Sequence, residues 1–294
     1  MSKYYYLIAG LPNISFDDSK LPYTVTGFRE ELGNYLSDAD TRLLNLFILK
    51  FDNENLLEQI QHPGYDPDTR GRFTYEEMSE LLKGLKDEKE EEKPFKNKNK
   101  RFPSYFETFA RAFLETKEKE EKPPIPWEDY LSALYYAYAM KSRNKFVAGW
   151  FELNLNIKNI LIALTCRKYK WDKTAYIVGD NKTANKIRTS NARDFDLGDS
   201  LECLPAAMRI AEESDLLLRE RKVDLLKWEW LEETTIYQTF DVENVLVYLL
   251  KLEMMERWAM LDKNAGERSF RELVGVMKKG SDNVLEEFKR NNKK

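Results

Sequence analysis

His62 is the only histidine in the chain, and histidine is the side chain best suited to move a proton near neutral pH. It stands directly before Pro63-Gly64, a helix-ending pair, and reads there as a residue that caps carbonyls or faces solvent rather than as a general base. A lone histidine also leaves no pair to hold a metal ion. The stretch GDNKTANKIRTSNAR from Gly179 combines glycine, lysine and hydroxyls, but it lacks the glycine and Gly-Lys-Ser/Thr spacing with which a phosphate loop aims its backbone N–H groups. It reads as part of a long loop over 179–200, mobile or ordered by a partner. Glu253 and Glu256 fall on the same helical side as Val245, Leu249 and Leu252, where a carboxylate is costly unless paired. Each either lies at the edge of the stripe and snorkels or meets an arginine such as Arg268 or Arg271, and a structural ion pair is the expectation ahead of catalysis. An enzyme would have to join these carboxylates to Asp194 and to Lys or Arg partners in a deep polar pocket between modules. Cys166 and Cys203 lie far apart without a CxxC spacing, so they read as buried thiols, neither disulfide nor zinc ligands. No catalytic residue, cofactor or metal site is therefore expected.

The elements that would position these residues are helical nearly throughout. Apolar residues recur at three- and four-residue steps from Ser37 to Gln61, at Leu43, Leu44, Phe47, Ile48, Phe51, Leu56, Leu57 and Ile60, the signature of an amphipathic helix. Further helices are predicted from Phe73 to Leu85, Pro103 to Glu115, Trp127 to Met140, Asn144 to Lys170, Ala206 to Trp230, Val242 to Leu261 and Ser269 to Phe288. Strand signals are confined to Tyr4–Ala9 and Ala175–Val178, each bounded by glycine. The charged stretches 86–101 and 115–126 read as solvated linkers or exposed helix ends, the second closed by Pro123, Pro124 and Pro126. Tyr135, Tyr136, Tyr138, Trp228 and Trp230 read as packing residues. At 294 residues and 42% hydrophobic, the chain can bury a sizeable core. Its net charge of −4 gives no nucleic-acid footprint, and its opening apolar run is far too short to span a bilayer. The chain reads as cytoplasmic.

A weak internal repeat is the most informative pattern. Residues 51–57 (FDNENLL), 155–161 (LNIKNIL) and 240–246 (FDVENVL) align without gaps. The shared pattern is apolar, Asp or Asn, any residue, charged, Asn, aliphatic, Leu. It fits a helix start, with Asp52, Asn156 and Asp241 as N-caps and Asn55, Asn159 and Asn244 reaching back in the capping-box position. Phe51 with Leu56, Leu155 with Ile160, and Phe240 with Val245 would then be hydrophobic staples. Three such starts predict an all-α protein of three related helical modules, over 1–100, 101–205 and 206–294.

Three helical modules, each built around a helix beginning Phe-Asp-x-x-Asn-Leu or similar, resemble the C-type coupling subunit (d-type in eukaryotes) of V/A-type rotary ATPases. The segment 240–280 is similar to that family's closing helix, acidic turn and final helix. The opening YYYLIAGLP and the overall length are closer still to an uncharacterised bacterial family found with such ATPases. The match is strongest at 43–60, 144–170 and 240–277; this chain is shorter than typical members and carries Asn156 where the pattern prefers Asp. The resemblance implies a funnel-like body of three pseudo-symmetric modules that couples the central rotor shaft to the membrane proteolipid ring without catalysis. It implies ATPase subunits as partners, no nucleic acid, no direct membrane insertion, and a cytoplasmic position peripheral to the inner membrane. The alternative is a helical scaffold or adaptor unrelated to ATPases, in which the repeat is merely good helix capping.

Overall fold

The computed structural model describes residues 4–262 apart from 19, 63, 92–100, 122, 124 and 238–239. Among them there are eleven α-helices and no strand. In chain order these are α1 (Tyr5–Gly10), α2 (Val25–Leu32), α3 (Asp38–Gln61), α4 (Tyr75–Glu91), α5 (Ser104–Glu118), α6 (Trp127–Ala139), α7 (Lys145–Tyr169), α8 (Lys182–Thr189), α9 (Leu204–Ala211) and α10 (Leu216–Thr235). The last, α11, covers 242–262. The protein is all-α. No described helix is long and apolar enough to cross a membrane.

Local chemistry sets most of the helix starts. The side chains of Thr24, Ser37, Asn144, Asn181 and Asp215 each accept a backbone N–H from the first turn of α2, α3, α7, α8 and α10, which satisfies donors that the helix itself leaves unpaired. Thr74 and Glu77 form a reciprocal capping box before α4. At its C-terminal end α7 stops at Lys170, which takes the left-handed conformation at φ 58° while Trp171 N–H bonds back to the Cys166 carbonyl.

Burial then assigns the layers. In α7, Phe146, Val147, Trp150, Phe151, Leu153, Leu155, Ile157, Ile160 and Ala163 are buried, too many for a single stripe. The helix therefore lies at the centre, packed against α6, α8, α9 and α10. Helix α3 packs on α4 and α6. The Phe47 and Phe151 rings stack at 5.3 Å to join α3 to α7. Helix α11 closes the core from the other end of the chain: Val245, Leu246, Leu249 and Leu252 are buried, and Tyr248 meets Phe28 of α2 at 5.1 Å. Each such apolar side chain contributes about 1.5–3 kcal/mol of burial free energy.

Several expectations need correction. Residues 5–10 form α1 instead of a strand; only Tyr4 N–H bridges outward, to the Phe240 carbonyl at 2.7 Å. The second strand candidate becomes a 3-10 turn at Lys173–Ala175 followed by residues outside any regular element. A strand needs a neighbouring strand to take its N–H and C=O groups in a ladder, and among the described residues neither run lies beside one. The stretch 179–200 is not one loop, because Asn181 caps α8 within it. The helix expected over Ala206–Trp230 is broken into α9 and α10, the second restarted by Asp215. In the first charged stretch α4 continues to Glu91, in keeping with the helix-end reading of that stretch. The helix expected over 269–288 lies outside the described residues.

Candidate functional site

The repeated residues occupy positions quite unlike helix starts in two of three copies. Asp52 and Asn55 lie deep in α3, and Asn156 and Asn159 lie in the middle of α7; the true N-caps are Ser37 and Asn144. The correction has a physical cause. A buried polar side chain in a helix interior can serve backbone beyond its own helix, and the same Asp/Asn chemistry that caps a start can clip a neighbouring loop. With i, i+3 spacing, both side chains of each pair point to one face.

In α3, the Asn55 amide donates to the Asp68 carbonyl at 3.0 Å while its oxygen accepts the Asp68 N–H at 2.8 Å. One turn back, Asp52 Oδ1 accepts the N–H groups of Arg72 and Phe73 at 2.7 and 3.1 Å. The loop that follows α3 is thereby bound to its side over residues 68–73. In α7 the arrangement recurs. Asn159 donates to the Val178 carbonyl at 2.8 Å and accepts the Val178 N–H at 2.9 Å. Asn156 Oδ1 accepts from Asn181 Nδ2 at 2.9 Å, and Asn181 in turn caps α8. Each clip thus holds a loop and leads into the next helix, α4 or α8. Asp52, Asn55, Asn156 and Asn159 are all at most 2% exposed, so each loses water and must find partners. Asp52 Oδ2 finds none among the described residues. Burial pushes the Asp52 carboxyl up to about 6, against the opposing bonds from Phe73 and Arg72.

Close backbone approach accompanies both clips. A Cβ on Gly71 would lie 2.6 Å from Asp52 Oδ1 and 2.9 Å from Asn55 Nδ2. Gly179 sits at φ +73°, with a Cβ position 3.2 Å from Leu155 Cδ2. Asp241 and Asn244 are arranged differently: Asp241 immediately precedes α11 and Asn244 stands in its first turn, its N–H bonded to the Asp241 carbonyl at 3.1 Å. The third copy begins a helix, as the first two do not.

The remaining candidates separate. Glu253 pairs with Lys50 of α3 at 2.5 Å, and Glu256 accepts the N–H of Val25 at 3.1 Å. A carboxylate at the start of α2 also complements the helix dipole. Arg268 and Arg271 lie outside the described residues. Asp194 is elsewhere, accepting the N–H groups of Asp196 and Gly198. His62 is the C-cap residue of α3 and meets Glu58 at 2.9 Å on the surface. Of the basic residues of 179–200, Lys186 donates to the Asp196 carbonyl, and Arg188 to the carbonyls of Ile177 and Gly179 and to the Asp180 carboxylate. Cys166 and Cys203 are buried free thiols, and burial pushes Cys203 up to about 11.

A cleft of about 240 Å³ lies between α3, α6, α7, α10 and α11, and of the acidic residues singled out in sequence only Glu253 lines it. Lys50 and Glu253 stand on one side. On the other, Asp224, itself buried, accepts from Trp258 Nε1 at 2.9 Å and from Arg257. Lys227 completes the lining, and burial holds its ammonium below the ordinary lysine value despite the attraction of Asp224. For Asp224 and Lys227 the signal available in sequence was their helical spacing, which places both on one face of α10. No curated protein and no solved structure matches the chain. A family model described as "Protein of unknown function (DUF2764)" matches residues 1–281, and the chain belongs to that family.

Proposed function

We propose that this protein is a non-catalytic component of a V/A-type rotary ATPase, coupling the central shaft to the proteolipid ring at the cytoplasmic face of the inner membrane. The observation that carries the reading is the pair of clips. Two long helices, α3 and α7, each hold their following loop through an Asp/Asn and an Asn three residues apart, as expected of modules that repeat one design. The resemblance to the coupling component of rotary ATPases rests on the same residues. A part that transmits torque must resist deformation, and a buried, bidentate side-chain bond from helix to loop removes freedom where a module would otherwise yield.

A helical scaffold unrelated to ATPases is the competing reading, and the same experiment separates the two. The gene is deleted in its host and the ATPase purified. ATP hydrolysis by the soluble head should persist while ion pumping is lost, and adding back this protein should restore pumping. Full pumping without the protein would end the proposal. Capture of the intact ATPase by a tagged chain, lost when Asn159 is replaced by Ala, would add support from the clip itself.

A further inference from the structure

We propose that the cleft between α3, α6, α7, α10 and α11 binds a small organic anion, its charged group seated at the Lys227 ammonium and its apolar body against Phe47, Trp150 and Met254.

The charges of the cleft do not cancel within it. Glu253 is engaged by Lys50 and Asp224 by Arg257 and Trp258. Three cations face two carboxylates, and both carboxylates are committed. Among the described residues, no carboxylate lies within ion-pairing distance of Lys227, and its ammonium makes no hydrogen bond to them. Glu220, two turns earlier on α10, also attracts it but is exposed to solvent, where its field is screened. Lys227 is half-buried, and an ammonium partly withdrawn from water without a counterion is poised to gain from an anion.

The rest of the lining narrows the ligand. Phe47, Phe151, Leu250 and Met254 supply apolar walls, with Trp150 and Tyr136 beside them. Such a mixture of apolar walls and a few convergent polar groups is typical of small-molecule sites. At about 240 Å³ the space is too small for a nucleotide and suits a compact monocarboxylate. A cation would meet three positive side chains and find no uncommitted carboxylate.

The test uses the full chain with selectively 13C-labelled lysine and follows Lys227 by NMR as pH rises, in a buffer without carboxylates or phosphate. Benzoate and inorganic phosphate are added in separate titrations at constant ionic strength. Benzoate should raise the midpoint of Lys227 in a saturable manner and bind more tightly than phosphate, because only benzoate fills the apolar walls. Lys227→Met should weaken benzoate binding about tenfold or more, while Lys227→Arg, which keeps the charge, should retain it within about that factor. In anion-free buffer Lys227→Met should unfold at a higher temperature than the wild-type protein, which shows that the variant is folded. A Lys227 midpoint unmoved by benzoate, or moved no more than by matched chloride, would overturn the assignment. Phosphate binding as tightly as benzoate would overturn the organic part of it.

Discussion

Asp52 carries a charge in a place that disfavours it. Its carboxyl is fully buried and titrates at about 6 instead of 3.8. Because the folded value is raised, the stabilising contribution of this group is present below about pH 4 and is lost as pH rises through 6, by about 3 kcal/mol in all. Asp52→Asn should remove this dependence, since an amide oxygen can accept the same two backbone bonds and Asn156 already occupies the matching place in α7. The stability difference between variant and wild type, measured by denaturant unfolding, should therefore move in favour of the variant between pH 4 and pH 7. A difference that stays flat over that range would refute the cause assigned to the shift. Asn159 tests the second clip. Asn159→Ala leaves the buried N–H and carbonyl of Val178 without partners and should cost about 2–5 kcal/mol. Asn55→Ala should cost less, because Asp68 is half-buried and water can replace the lost bonds. Equal costs, or the reverse order, would contradict the burial argument. These residues were legible in sequence as a repeated pattern but not in their role. Asp, Asn and an apolar residue in front make the same short signature at a helix start and at a helix-to-loop clip, and only the loop's position distinguishes them.

At the scale of elements, the helices were the legible part. Periodicity located α3, α6 and α7 to within a residue or so, since each carries a long apolar pattern with a Ser, Pro or Asn start. The errors fell where a short element depends on contacts distant in sequence, as in α1 and the region around 175–178, or where a local cap was overlooked, as at Asp215 and Asn181. The clip turns give a sharper test of how element and loop fit. Gly71→Ala would drive a Cβ into Asp52 and Asn55 and should cost about 1–3 kcal/mol. In an Asp52→Ala background the obstacle is reduced, so the cost should fall and the two changes should be non-additive by about 1 kcal/mol. Gly179→Ala should behave otherwise. Its backbone is left-handed, so a penalty of about 1–2 kcal/mol should remain even when Leu155 is shortened to Ala. A thermodynamic cycle for each pair measures this. Additivity at Gly71 would mean that the clip does not determine the turn.

Across the whole molecule, the all-α class was readable from composition and period, while the closure of the chain upon itself was not. Lys50 meets Glu253 and Val25 meets Glu256 across more than 200 residues of sequence, and no local pattern encodes such a pairing. The sequence marked Glu253 and Glu256 as carboxylates in need of partners; which residues would answer depended on how α11 lies against α2 and α3. The Lys227 side of the cleft escaped notice for the same reason, since the cleft is lined from five helices separated along the chain. This closure has a consequence for stability. Leu249 is fully buried in α11, and its neighbour Tyr248 meets Phe28 of α2, so α2 and α11 share one core. Leu249→Ala should cost about 2–5 kcal/mol. If these two helices unfold as one cooperative unit, native-state hydrogen exchange should show the amides of α2 losing protection together with those of α11, while α8 and the clipped Val178 amide keep theirs. Loss of protection confined to α11 would mean that the N-terminal helices are held by α3 alone, and that α11 rests on a body already complete.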